Sequence, residues 1–326
     1  MKKIKIIITL GPKTLNKNFL ISIRDNVDLL RLNMSHLSLD RLKKNIFFIR
    51  RHSKIPICID TEGAQIRSKI LKTKILKRNQ KFKIFLNQKK LSFYPHDVFK
   101  KLKINDILSI GFDNLLIKIL KKYEKKNYFL AKVINSGKFE NNKGVHLVNR
   151  KINLNFLTQK DFKAIELGKK LKVNFYALSF TNTPQDVKNF NKLLPHKNKI
   201  FKIETLTAVN NFKKIIKIAD NFLIDRGDLS KDVSIEKTPI FQRKLFLIKK
   251  KFKENKNIFV ATNLLESMMK NNYPTRGEAN DIYSSLEMGA NGLVLAAETA
   301  IGNYPLDTIT FIKRMINAYL KTNHKK

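Results

Sequence analysis

The sequence predicts an α/β fold: a (β/α)8 TIM barrel carrying a small inserted antiparallel β lid domain. Three observations predict it. Short apolar runs that end in polar residues alternate with amphipathic helical stretches, three of the runs before residue 63 and five after residue 174. Eight buried strands, each followed by a helix, is the pattern of a closed parallel barrel. Between Ser68 and about Arg150 the pattern changes to short alternating runs separated by KK, NN and SG turns, as in an antiparallel sheet. The chain is also large enough: 326 residues, 43% hydrophobic, with 23 Phe, can bury such a core. The predicted domains are residues 1–67 with 151–326 for the barrel and 68–150 for the insertion.

In chain order, IKIIITLG supplies the first strand. Its apolar run is short and no small-residue cleavage site follows, so it is not read as a signal peptide. DLLRLNMS is the second strand and IPICIDTEG the third. The insertion contributes KFKIFL, DILSIG, LLIKIL, YFLAKVI and GVHLV. Thr158 reads as a helix N-cap, with Asp161 three residues on and a Leu157/Phe162 staple. The fourth strand runs from Phe175 to Phe180. Thr183 caps the next helix, with Pro184 at its first position and Asp186 three residues after the cap. Strands five to eight are Ile200–Glu204, Asn221–Asp228, Asn257–Thr262 and Gly292–Thr299. Pro305 opens the last helix, whose apolar positions are Ile309, Ile312, Met315 and Tyr319.

Composition excludes several classes. A single cysteine, Cys58, rules out a disulfide scaffold and a cysteine-rich zinc site. No stretch approaches the roughly 18 uncharged apolar residues of a membrane helix, and the default compartment is a reducing cytoplasm. The net charge of +40 first suggests a polyanion. However, 54 of the 66 basic residues are Lys and only 12 are Arg, the residue suited to planar phosphate and base recognition. A solvated surface under mutational bias is the preferred reading, and nucleic acid is not expected as a partner. The densest region, Ser68 to Lys101, holds eleven Lys/Arg against one acid, Asp97.

In a barrel of this kind chemistry sits where the strands end at the C-terminal face. Lys202 and Glu204, at i and i+2, point the same way. Arg226, Gly227 and Asp228 end the next strand. Glu204 and Asp228 can meet across neighbouring strands as hard oxygen ligands for magnesium. Lys202 beside them would be a point charge on a transferring phosphoryl group or an enolate. On pattern alone a buried Lys–Glu ion pair that closes the barrel stays equally open. Arg31, Asn33 and Ser35 alternate on one face of the second strand, and Asp60 and Thr61 end the third; together they could bind phosphate and a monovalent cation.

These segments together resemble the pyruvate kinase family along nearly the whole chain. IIITLGPKT is similar to that family's first strand and loop, RLNMSH to its second, and IDTEGAQIR to its third. KGVHL is similar to the end of its inserted lid. KIET, RGDLS, ATNLLESMMKNNYPTRGEAND and ETAIGNYP follow in order. The resemblance implies a glycolytic phosphotransferase that moves the phosphoryl group of phosphoenolpyruvate to ADP, giving pyruvate and ATP, with Mg2+ (or Mn2+) and usually K+.

It further implies that Lys202 stabilises the phosphoryl group in flight and the enolate, that Glu204 and Asp228 hold magnesium, and that Arg31 contacts the phosphoryl group. Asn33, Ser35, Asp60 and Thr61 would hold potassium. Thr262 would lie near the carbon that is protonated, and the Arg226–Gly227–Asp228 turn would meet the substrate carboxylate at a helix N-terminus. Asn33, His36, Arg67 and Lys143 would lie near the nucleotide.

The departures are specific. Asp225 stands where the family has a small residue. Ala296 replaces a hydroxyl proposed for the proton relay. Gln65 occupies the position associated with potassium dependence, and Asp113 is a poor match to an acid of the lid. The chain ends at Lys326, just after the eighth helix, so the resemblance leads us to expect no C-terminal effector domain, no sugar-phosphate allostery and a homodimer. The alternatives are a divergent paralogue acting on a related enolpyruvyl or phosphoryl substrate in biosynthesis, or a non-catalytic basic protein that binds RNA.

Overall fold

The computed structural model describes residues 3–86, 90–111, 115–252 and 255–323. Asp113 lies outside the described residues. The chain divides into two compact units, residues 1–63 with 159–326 and residues 64–158.

The larger unit is built on eight parallel strands: β1 (Lys5–Thr9), β2 (Leu29–Asn33), β3 (Ile57–Asp60), β4 (Phe175–Leu178), β5 (Asn198–Ile203), β6 (Asn221–Asp225), β7 (Asn257–Ala261) and β8 (Gly292–Leu295). They close in sequence order, with β1 paired to both β2 and β8. Period-two alternation sends every second side chain into the barrel. Ile7, Leu29, Cys58, Ala177, Ile200, Leu223, Phe259, Ala261 and Val294 form one buried apolar cluster. That layer plugs the interior and makes the next inward positions, two residues further along each strand, the floor of the C-terminal mouth. In this apolar layer burial pushes the Cys58 thiol well above its usual range, so it is an inert core residue.

The helices follow their local signals. Thr183 accepts the Asp186 N–H while the Asp186 carboxylate accepts the Thr183 N–H, a reciprocal cap over Pro184–Leu193. The helix after the insertion starts at Gln159, directly after Thr158. The last helix, Pro305–Asn323, buries Ile309, Ile312 and Ile316; Met315 and Tyr319 are half-buried at its margin. Each barrel strand ends earlier than its sequence run. β6 stops at Asp225 and Arg226–Val233 is already helical; β7 stops at Ala261; β8 stops at Leu295. Polar ends of apolar runs continue the sequence pattern, but their backbone turns into the following helix or loop.

Gly11, in the loop after β1, approaches the segment after β8 so closely that a Cβ would lie 2.4 Å from the Ala300 carbonyl oxygen. Gly11→Ala is expected to cost about 1–3 kcal/mol. Chemical denaturation measures it, and an unchanged midpoint would show that this loop relaxes freely.

The smaller unit is a second closed barrel of seven strands, in the order 128–135, 81–85, 92–94, 66–69, 144–147, 107–110 and 115–123. A two-stranded ribbon joins 74–76 to 137–139. All pairings are antiparallel except that of Phe85 with Ser92. The short strands 66–69, 74–76, 92–94 and 137–139 escaped the sequence pattern, because three or four residues carry too little alternation to read. The unit is also larger than the expected 68–150. Ile66 belongs to its core, Ile152 and Leu154 pack against that core, and Arg150 is clamped to the buried Asp106 at 2.6 and 2.7 Å. The chain therefore re-enters the barrel after Thr158, not after Arg150.

Candidate active site

The C-terminal mouth of the barrel collects the polar residues of the layer above the apolar plug. Two residues past Leu29, Cys58, Ala177, Ile200 and Leu223 come Arg31, Asp60, Ser179, Lys202 and Asp225. Each is therefore aimed inward by strand alternation.

Lys202 is the centre of the group and is 4% exposed. Its Nζ lies 2.8 Å from Glu204 Oε1, 3.4 Å from Asp225 Oδ2 and 3.5 Å from Asp60 Oδ2, and it donates to Ser179 Oγ at 3.2 Å. Burial disfavours the ammonium form, but Asp60, Glu204 and Asp225 outweigh burial, so the group stays charged with its pKa raised. Arg31 Nε donates to Asp60 Oδ2 at 2.7 Å, Nη2 contacts the same oxygen at 2.5 Å, and Nη1 donates to Thr9 Oγ1 at 2.8 Å. Arg31 and Asp60 are both buried.

Glu204 is fully enclosed. Its Oε2 accepts the Phe180 N–H at 2.5 Å, and Phe180 has the left-handed φ of 52° that turns this N–H inward. Its Oε1 receives no hydrogen bond among the described residues; the Lys202 ammonium at 2.8 Å approaches as an ion pair outside hydrogen-bonding geometry. Burial pushes the Glu204 carboxyl up to about 8. Lys202 opposes that rise, while Asp225 and Asp228 add to it. For Asp225 burial also acts upward, but Lys202 and Arg31 outweigh it and hold the carboxyl at about 2. Asp228, in the first turn of helix 226–233, is paired with Lys231 at 3.2 Å. One oxygen each of Glu204, Asp225 and Asp228 lie within 4.8 Å of one another.

On the other side of Asp225 stands Thr262, whose Oγ1 donates to Asp225 Oδ1 at 2.6 Å. Thr262 and Asn263 have φ of 75° and 55°. For a β-branched threonine this is a strained backbone, held only where the surroundings impose it. Arg226 imposes it here. Its Nε and Nη2 donate to the Thr262 carbonyl at 3.0 and 2.8 Å, Nη2 also to the Asn263 carbonyl at 3.0 Å, and Nη1 to Asp281 at 2.5 Å. The Arg226 side chain thus clamps the loop after β7. Gly227 permits the close fit, since a Cβ would meet Thr262 Cγ2 at 2.7 Å.

A family model described as pyruvate kinase, barrel domain, matches residues 1–309. The chain belongs to the pyruvate kinase family. It is 30% identical over 332 residues to the pyruvate kinase of Thermotoga maritima, covering 97% of this chain and 70% of that protein. It is 32% identical over 345 residues to the pyruvate kinase of Staphylococcus saprophyticus, covering 100% of this chain and 58% of that protein. The Staphylococcus aureus MRSA252 relative is 30% identical over 345 residues, with the same coverages of 100% and 58%.

In this barrel, strand register sets Asn33 beside Asp60. Ser35 donates its N–H to Asn33 Oδ1 at 2.9 Å. Thr61 Oγ1 accepts the Ser179 N–H at 3.0 Å, and the Ser179 hydroxyl reaches the Thr61 carbonyl at 2.7 Å and Asp60 Oδ1 at 3.2 Å. The four residues expected to hold a monovalent cation are therefore neighbours. Ser179, which sequence reasoning passed over, bridges them to Lys202; the inward step from Ala177 was the signal that could have found it. Glu298 was also passed over. It is buried and accepts the N–H groups of Ala296 at 2.8 Å and Leu265 at 3.4 Å, a clip between the ends of β7 and β8.

His36 donates its backbone N–H to Asn33 O within the large unit. The two nucleotide candidates of the small unit are neighbours of one another's strands. Arg67 pairs in register with Gly144, its Nη1 reaches the Asn142 carbonyl at 3.4 Å, and Lys143 is paired with Glu140 at 3.2 Å. Gln65 is buried. Glu62 pairs with Lys160 of the helix after the insertion at 2.8 Å. Among the described residues no helix is long and apolar enough to cross a membrane.

Proposed function

We propose that the chain transfers the phosphoryl group of phosphoenolpyruvate to ADP, giving pyruvate and ATP. The observation that carries this reading is the Lys202 ammonium, buried at the barrel mouth among Asp60, Glu204 and Asp225 and adjoining the Glu204/Asp225/Asp228 cluster. A fixed positive charge in a dry site beside hard oxygen donors suits a reaction in which negative charge shifts from a phosphoryl group onto an enolate.

The residues present fit a divalent ion. The donors are carboxylate oxygens, and Glu204 Oε1 is buried without a hydrogen-bond donor among the described residues. Glu204 and Asp228 are the ligands on this reading, and a magnesium ion bound there neutralises phosphoryl oxygen charge. Asn33, Ser35, Asp60 and Thr61 offer oxygen donors of the type potassium takes.

Arg31, locked on Asp60 and Thr9, presents its guanidinium to the phosphoryl group. Lys202 faces the bridging oxygen that becomes the enolate. The N-terminus of helix 226–233 receives the substrate carboxylate. Thr262 Oγ1 holds a proton near the carbon to be protonated, and with Ala296 lacking a hydroxyl, Asp225 is the group that orients it. Asn33 and His36 are the nucleotide contacts of the large unit carried over from the family.

The test is pyruvate formation from phosphoenolpyruvate and ADP by the purified chain, titrated with magnesium. Asp228→Asn is expected to raise the half-activating magnesium concentration by about tenfold or more, because one of few anionic ligands is lost. An unchanged requirement would place the ion elsewhere. Asp225 favours one second reading, a related enolpyruvyl substrate, because it adds an acid to the centre. Turnover of another enolpyruvyl compound with none of phosphoenolpyruvate would select it.

A further inference from the structure

We infer that Asp225 is a third carboxylate of the divalent-cation site, so that this chain takes up the cation before any phosphorylated substrate arrives. The inference rests on the reading that Glu204 and Asp228 hold the ion, and adds to it a residue that the family pattern does not supply.

Three features of Asp225 carry it. It is the inward residue at the end of β6, two positions beyond the core residue Leu223, so its carboxylate cannot turn to solvent without breaking the strand alternation. It is 7% exposed. One of its oxygens lies within 4.8 Å of an oxygen from Glu204 and one from Asp228. The contacts it already makes leave capacity for a metal: Oδ1 accepts one hydroxyl proton, from Thr262 at 2.6 Å, and Oδ2 faces Lys202 at 3.4 Å. A carboxylate has about four lone-pair sites.

Independently of Asp225, Glu204 is enclosed, and its Oε1 has no hydrogen-bond donor among the described residues, only the Lys202 ammonium as an ion pair at 2.8 Å, so it keeps lone pairs for a metal. The local charge agrees. Asp60, Glu204 and Asp225 surround a single ammonium, with Arg31 committed to Asp60.

Magnesium sites built from one or two carboxylates rely on substrate phosphate to complete the shell. A third carboxylate shifts that balance, since ligand charge count sets affinity, and it makes the free site repel an anionic substrate until the cation is in place. Metal first, phosphorylated substrate second, is the order this arrangement imposes.

The probe is Mn2+ alone, titrated into the whole purified chain without substrate and followed by electron paramagnetic resonance of the free ion. The wild type is expected to bind one tightly held Mn2+ per chain, and to melt at a higher temperature with Mn2+ than without. Asp225→Asn keeps the shape and an acceptor for Thr262 while removing the charge. It is expected to weaken Mn2+ binding at least tenfold and to lose the thermal shift; Asp225→Ala should do the same, with folding checked by circular dichroism.

If both Asp225 variants bind Mn2+ as the wild type does while Asp228→Asn does not, Asp225 merely anchors Lys202 and Thr262, and the inference is overturned with the underlying site intact. If the wild type holds no Mn2+ at millimolar concentration without substrate, it is overturned as well. If Glu204→Gln and Asp228→Asn also bind normally, the ion lies elsewhere and the underlying reading of the site fails.

Discussion

Lys202→Met is expected to reduce turnover by about 10²–10³-fold or more, with a far smaller change in the KM for phosphoenolpyruvate. The ammonium contributes most where charge moves, during transfer and on the enolate, so its loss falls on kcat. It also leaves Asp60, Glu204 and Asp225 facing one another in a buried centre, and breaking such an ion cluster typically costs about 3–5 kcal/mol. The stability effect must be separated from the catalytic one. Lys202→Arg serves that purpose, because it keeps the charge balance but replaces a compact point charge with a planar fork. The Arg variant is expected to retain more of the wild-type melting temperature and still to lose most of its turnover. Near-normal kcat in a folded Met variant would contradict the role assigned to Lys202.

Arg31→Met is expected to destabilise the fold by about 3–5 kcal/mol, again as an unpaired buried carboxylate, and to depress turnover through loss of the phosphoryl contact. Its guanidinium holds Asp60 with two nitrogens and Thr9 with a third, so it ties β1, β2 and β3 together at the mouth. Denaturant titration measures the first effect and steady-state kinetics the second. Arg31→Lys separates them, since an ammonium can pair with Asp60 but cannot reach both Asp60 and Thr9 in the same fork geometry. A Met variant as stable as the wild type would show that Asp60 is satisfied by Lys202 alone.

The barrel was legible because apolar runs repeat with helical stretches between them, and because the caps at Thr183 and Pro305 carry explicit chemistry. Lys202 and Glu204 were legible from their i, i+2 spacing. What escaped was set by alternation across strands. Ser179 is an ordinary serine in FYALSF, and only the inward placement of Ala177 in the apolar layer shows that two residues later the chain points at Lys202. Asp225 stood out as an unusual residue, but its partnership with Thr262 depends on β6 lying beside β7, a fact of register. The Arg226 side chain clamps the strained Thr262–Asn263 backbone, a partnership between the ends of β6 and β7 that no sequence spacing shows. Left-handed dihedrals at Phe180 and Thr262 carry no residue signature, whereas Asn263 is of a type that adopts one readily. In the insertion the shortest strands carried too few residues for a period to show.

Phosphorus is expected to leave phosphoenolpyruvate and arrive on ADP at this one site. Phosphorus-31 nuclear magnetic resonance of the purified chain with phosphoenolpyruvate, ADP and magnesium follows both ends of that transfer in one tube. The account predicts that the phosphoenolpyruvate resonance decays as the γ-phosphate resonance of ATP grows in equal amount, and that chelating the magnesium stops both. Decay of phosphoenolpyruvate into inorganic phosphate, or no change with folded protein and magnesium present, would contradict it.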